Sequence, residues 1–253
     1  MYMYTEKSLI QAAINNENEL FIKIFYKPYI NVIYNNCEIM LHLCENGNVE
    51  LVKMVLDDKR INPMVSDGYP LGKACQFGHI EIVKLLLADS RVQPNTCYEE
   101  PIRMAAMYNH PEIVKILLED GRVNPFFNGN MAISNMISER YSRTINYDII
   151  KMLFDYKKEK LIKNSNDIIY YSSMIASDLF DLFKFVLSID WDYAIKLTNK
   201  IIKLCLQYKR SIFIKYLISN NFIKINNLNK DDILRFKEMK ILPDYTPRKK
   251  IIS

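Results

Sequence analysis

Glycine and proline are scarce in this 253-residue chain, at six and nine residues, which excludes a collagen-like, loop-rich or low-complexity protein. Cysteine is sparse and odd in number: Cys37, Cys44, Cys75, Cys97 and Cys205, with no Cys-x-x-Cys among them. A disulfide framework or a zinc knuckle needs even, clustered spacings, so reduced and mostly buried thiols are expected. Three histidines offer little for metal or acid–base chemistry. There is no Gly-rich phosphate loop, no Gly-x-Ser-x-Gly and no framed cysteine–histidine pair. The adjacent carboxylates Asp57-Asp58 and Glu99-Glu100 read as solvated loop charge. The sequence therefore predicts no enzyme, no catalytic residue, no metal and no cofactor. No apolar run approaches the ~18 residues of a membrane span. The opening Met-Tyr-Met-Tyr-Thr-Glu-Lys has neither a basic start nor an apolar stretch after it, so a cytoplasmic protein without a secretory signal is expected.

What is present is an ordinary globular balance, 49% apolar and 25% charged, with enough hydrophobic surface to bury a core. Isoleucine, asparagine and lysine (35, 24 and 25 residues) make up a third of the chain. Their codons are AT-rich, so that bias says more about a genome than about function. The net charge of +5 is unevenly placed: residues 1–126 hold 12 basic and 16 acidic side chains, residues 127–253 hold 22 and 13. A basic half can mark a polyanion-binding end or simply a solvated surface.

Internal periodicity decides the fold. Leu51-Val52-Lys53-Met54-Val55-Leu56, Ile82-Val83-Lys84-Leu85-Leu86-Leu87 and Ile113-Val114-Lys115-Ile116-Leu117-Leu118 recur at a spacing of 31 residues. Pro63, Pro94 and Pro125 keep the same step, as do Pro70 and Pro101, Ala74 and Ala105, His79 and His110, and Cys44 and Cys75. A lysine column extends the pattern through Lys23, Lys53, Lys84, Lys115, Lys151, Lys184 and Lys215, which marks seven units and a short remnant around Ile233-Leu234-Arg235-Phe236. Each unit reads as two short helices. Pro70 suits a first helical turn, and Leu71, Ala74 and Cys75 form a narrow inward stripe. The column Gly47, Gly78 and Asn109 suits the left-handed residue that ends a helix. Glu50, Glu81, Glu112, Asp148 and Asp181 each precede their lysine by three residues, which predicts exposed i,i+3 ion pairs worth roughly a few tenths of a kcal/mol. Helical methionines such as Met54, Met104, Met136 and Met152 are core filling; Met107 lies in a column that does not point inward.

The run Asp67-Gly68-Tyr69-Pro70-Leu71-Gly72-Lys73-Ala74-Cys75-Gln76-Phe77-Gly78-His79-Ile80-Glu81-Ile82-Val83-Lys84 and its successor Pro101–Lys115 resemble the ankyrin-repeat signature. The endings Arg91-Val92-Gln93-Pro94 and Arg122-Val123-Asn124-Pro125 resemble a shortened repeat familiar from large DNA viruses and other organisms with expanded ankyrin families. The family's Thr-Pro-Leu-His becomes Tyr69-Pro70-Leu71-Gly72 and Glu100-Pro101-Ile102-Arg103 here, so its threonine and histidine hydrogen bonds are missing at those positions. The resemblance implies an all-α fold, an α-solenoid of stacked helix-turn-helix repeats. Residues 1–253 are expected to form one such array. It comprises a degenerate repeat at 1–33, three well-matched repeats at 34–126, three degenerate repeats at 127–226 with an insertion near 138–146, and a C-terminal cap or tail at 227–253.

In this family partner contacts cluster at the loop tips and at the two residues before the glycine column. Carried over, the candidates are Glu45, Asn46, Gln76, Phe77, Met107 and Tyr108 at the helix ends, with Ser66, Asp67, Tyr69, Tyr98, Glu99 and Glu100 at the tips. Phe77, Met107 and Tyr108 are expected to be solvent-exposed anchors. Glu45, Asp67, Glu99 and Glu100 are expected to surround them with negative charge, favouring a partner with basic flanks. The expected function is a monomeric, non-enzymatic scaffold that binds another protein through its concave face, in a host cytosol if the chain is viral. Two alternatives stand beside it. One is a binder of nucleic acid or membrane through the basic C-terminal half, where residues 201–253 hold 12 basic and 4 acidic side chains. The other is a ubiquitin-ligase adaptor, although the segment from Ile241-Leu242-Pro243-Asp244 is too short for a complete recruiting box.

Overall fold

A computed structural model describes residues 4–34, 38–137, 145–159, 179–189, 191–224, 228 and 230–242. Residues 138–144 of the insertion expected near 138–146, Cys37 and the tail from Pro243 lie outside the described residues. Chain contacts divide the molecule into two compact units, residues 1–164 and 165–253. Among the described residues there is helix and no strand, as the periodicity predicts.

In the first unit the helices come in pairs: α1 (Glu6–Ile14) with α2 (Asn18–Phe25), α3 (Glu38–Asn46) with α4 (Val49–Asp57), and α5 (Val65–Phe77) with α6 (Ile80–Ala88). They continue with α7 (Thr96–Met107) and α8 (Pro111–Asp120), then α9 (Phe127–Ile137) and α10 (Tyr147–Glu159). The odd-numbered helices pack in chain order, α1 on α3 on α5 on α7 on α9, and the even-numbered helices form a second layer. Local chemistry sets the helix starts. Thr5 and Ser8 form a reciprocal cap on α1, and the Asn48 side chain accepts the Leu51 amide at the start of α4. Left-handed Asn16, Gly47, Gly78 and Asn109 turn the chain between the two helices of successive pairs. The inward stripes are small and apolar where layers must approach closely: Ala74, Cys75 and Ala105 have no exposed surface.

Successive pairs are fastened by polar brackets. His79 Nε2 lies 2.9 Å from the Glu45 carbonyl and His110 Nε2 lies 3.0 Å from that of Gln76, each reaching back one repeat. The imidazoles lie so close to Gly47 and Gly78 that a Cβ there would fall 2.5 and 2.6 Å from the ring. On the opposite layer, Arg91 donates to the carbonyls of Leu56 and Ile61 while Asp89 holds its guanidinium, and Arg122 repeats this on Leu87 and Val92 with Asp120. These carbonyls sit at and just beyond the ends of outer helices, where intrahelical donors run out.

The second unit contains α11 (Phe180–Ile189), α12 (Trp191–Gln207), α13 (Ser211–Ser219) and α14 (Lys230–Glu238). Phe213 of α13 packs edge-on against Phe180 and Phe183 of α11, with centroids 5.1 and 4.8 Å away. Lys209 and Lys240 take the left-handed turn position at φ 54° and 53°. The residue after each donates back into its helix, Arg210 to Cys205 and Ile241 to Phe236, as His79 does to Ala74. The segment expected to be a cap or tail holds the helix α14. The lysine ladder is realised in part: Lys84 pairs with Glu81 at 3.0 Å and Lys184 with Asp181 at 2.6 Å. Lys115 turns instead to Glu119, one helical turn onward at 3.8 Å, rather than to the expected Glu112.

Candidate functional site

The loop tips have an unusual backbone. Ser66, Asp67 and Gly68 have φ of 49°, 58° and 88°, and Cys97, Tyr98 and Glu99 have 48°, 57° and 61°. Each tip is therefore a short left-handed turn ahead of the inner helix, and it precedes the first-turn prolines Pro70 and Pro101. Every non-glycine residue there costs about 1–2 kcal/mol. The turn throws its middle residues outward: Ser66, Asp67 and Tyr98 are exposed, Tyr98 by 68%. Tyr69, at the start of the right-handed part of α5, is exposed too. Ser66 and Asp67 border a hollow of about 550 Å³ with Ile33, Arg60, Asn62 and Met64.

Two of the expected anchors and three of the four expected acidic rim residues are corrected by the geometry. Phe77 is exposed by 45%, and its ring lies 5.6 Å from Lys73 Nζ and 6.3 Å from the His79 ring. Met107 is buried, with 8% of its surface accessible: its flexible apolar chain follows Ala105 and Ala106 into the stack instead of turning to solvent. Tyr108 is half-buried rather than fully exposed. Glu99 is buried to 6% exposure, where it accepts the Asn124 backbone amide, and burial raises its pKa. Its Oε2 has no hydrogen-bond partner among the described residues. Glu100 is half-buried, and burial pushes its carboxyl upward against the pull of Arg103 and Lys73. It lies over Gly72 of the preceding repeat, 3.1 Å from where a Cβ would stand, which explains glycine at the position the family gives to histidine. Glu45 is matched by Lys73 at 3.6 Å. Of the expected acidic rim, Asp67 alone is fully exposed.

Asn46 and Gln76 belong to the stack as much as to the surface. The Asn46 amide donates to the carbonyls of Ala13 and Ile14 at the end of α1, both at 2.9 Å, and Gln76 supplies the carbonyl met by His110. Sequence reasoning missed Phe127, which is 44% exposed and pairs with Tyr98 at 6.2 Å between ring centroids. Its position just after Asn124-Pro125, one repeat beyond Thr96, was the available signal. It missed the arginine brackets as well, although Asp58-x-Arg60, Asp89-x-Arg91 and Asp120-x-Arg122 keep the 31-residue step. The bidentate guanidinium holds the Asp89 carboxyl down at about 2 and that of Asp120 below its ordinary range.

The cysteines follow burial: the thiols of Cys44 and Cys75 are pushed far up by desolvation, and that of Cys205 to about 12. Among the described residues no group of histidine, cysteine and carboxylate side chains has the arrangement of a metal site, and no helix is long and apolar enough to cross a membrane.

Paired helices in two layers, fastened repeat to repeat and displaying aromatic side chains at their tips, define a helical repeat protein. A family model described as Ankyrin repeats (3 copies) matches residues 9–96 and again 71–167, more than half of the sequence, and the chain belongs to the ankyrin-repeat family. A search of curated proteins finds no match to it. Ankyrin repeats generally mediate protein–protein interaction, and proteins built from them are typically non-enzymatic scaffolds.

Proposed function

We propose that this chain is a non-enzymatic scaffold that binds a partner protein through the inner-helix side and loop tips of its first unit. The supporting observation is the set of exposed aromatic side chains on neighbouring repeats: Tyr69 and Phe77 of α5, Tyr98 of α7 and Phe127 of α9. Large aromatics left in water on successive layers are the side chains that dominate protein interfaces when buried. Ser66, Asp67, Glu45, Asn46, Gln76, Glu100 and Tyr108 border this set, while Met107 and Glu99 serve it from beneath. With Glu45 matched by Lys73 and Glu99 buried, the partner's complement is apolar first and charged second. The 31-residue step resembles the shortened viral repeat, and a host cytosolic protein as partner belongs to the same reading, as do the repeat boundaries set out above.

The test is affinity capture from cytosol with the full chain, comparing wild type with a Phe77→Ala/Tyr98→Ala double variant of unchanged circular dichroism. A specific protein captured by wild type and lost with the variant supports the reading. Equal capture by both would place recognition elsewhere.

A further inference from the structure

The second unit holds a crevice of about 640 Å³ where the C-terminal end of α12 faces α14. Its origin lies in the repeat chemistry. In the first unit the corresponding place is filled by an imidazole: His79 over Gly47 to the Glu45 carbonyl, and His110 over Gly78 to that of Gln76. In the second unit Gln207 stands where Glu45 and Gln76 stand, left-handed Lys209 replaces the glycine, and Ile241 replaces the histidine. Isoleucine cannot reach back with a ring nitrogen, and lysine carries a long cationic chain where glycine carries none. The fastening is lost and a basic crevice takes its place.

Lys203, Lys209 and Arg235 line it against one carboxylate, Glu238, and each of the three is exposed. None of these cations has an ion-pair partner within 4 Å among the described residues. Ser211 at the start of α13 lines the same space; the first turn of that helix carries no carboxylate and no side chain caps it. Leu206 and Met239 give the crevice an apolar portion. A volume of this size suits a small molecule, and three cations lining one crevice suit a ligand with several negative charges in a short span.

We propose that this crevice binds a small polyphosphate, with Lys203, Lys209 and Arg235 as its phosphate contacts. The site lies in the second unit, and the proposal does not rest on the partner-binding reading of the first.

Calorimetric titration of the full chain with inorganic tripolyphosphate tests it. One molecule should bind per chain, and affinity should fall about tenfold in Arg235→Gln and in Lys203→Gln, a loss typical of one charge-assisted contact. Glu238→Gln should bind more tightly than wild type. Lys215→Gln and Lys224→Gln, which alter exposed cations outside the crevice, should bind as wild type does. Absence of binding at millimolar tripolyphosphate overturns the proposal, and so does equal weakening by the crevice and control variants. Binding of a 20-base-pair DNA duplex without binding of tripolyphosphate overturns it too, in favour of a diffuse basic surface.

Discussion

At the scale of single residues, the stack depends on a few side chains that reach back one repeat. Arg91 and Arg122 each satisfy two backbone carbonyls of the preceding repeat, whereas Arg60, among the described residues, bonds only its own Asp58 and is 61% exposed. Arg91→Ala and Arg122→Ala should therefore each cost about 1–3 kcal/mol in urea unfolding, from partly buried carbonyls left without donors. Arg60→Ala should cost about 0–1 kcal/mol, the worth of a surface ion pair. Equal losses at all three positions would contradict the bracket. Glu99 gives a pH signature of known sign. Burial raises its folded pKa, so its contribution to stability is complete at low pH and is lost as pH rises through that raised value. Glu99→Gln removes this dependence while leaving an acceptor for the Asn124 amide. The melting temperature of the variant relative to wild type should rise as pH climbs from the ordinary carboxylate range through that raised value, and then level off. A difference independent of pH would mean the carboxyl is not held in a desolvated place. None of Arg91, Arg122 and Glu99 was legible in advance for the role it has. Asp-x-Arg recurs visibly, but a bond to a backbone carbonyl leaves no mark at the accepting position. A carboxylate beside another carboxylate reads as solvated until the left-handed turn that buries it is known.

At the scale of helices and turns, the sequence was far more informative. The 31-residue recurrence, the alanine and proline columns and the glycine column all fall where helix interiors, helix starts and left-handed turns are found. Those features are written by steric rules that act within a few residues. The conformation of the tips was not legible, because three consecutive left-handed residues, most of them non-glycine, run against local preference. That explains the mixed result for the candidate site. Tyr98 and Asp67 point outward from the turn, Glu99 points in, and Met107 follows the stack. The inner stripe yields a direct test. Ala105 has no exposed surface between α5 and α9, so Ala105→Leu should overpack the layers and cost about 1–3 kcal/mol. An unchanged melting temperature would mean the helix register is wrong.

At the scale of the whole molecule, two units with different chemistry share one chain. Histidine and arginine brackets join the repeats of the first, and the second is built on phenylalanine contacts and a basic crevice. Arrays of repeats can unfold in parts because each unit is stabilised by its neighbours. Native-state hydrogen exchange should accordingly be faster across 194–242 than across 65–126, and uniform protection would contradict that difference. The central claim is that a partner protein docks on the exposed aromatics of the first unit. It is tested most directly by hydrogen-exchange footprinting of the full chain with its captured partner. The account predicts new protection at 66–69, 76–77, 98–100 and 127, with the outer helices unchanged. Protection confined to the outer helices, or to residues 201–242, would contradict it.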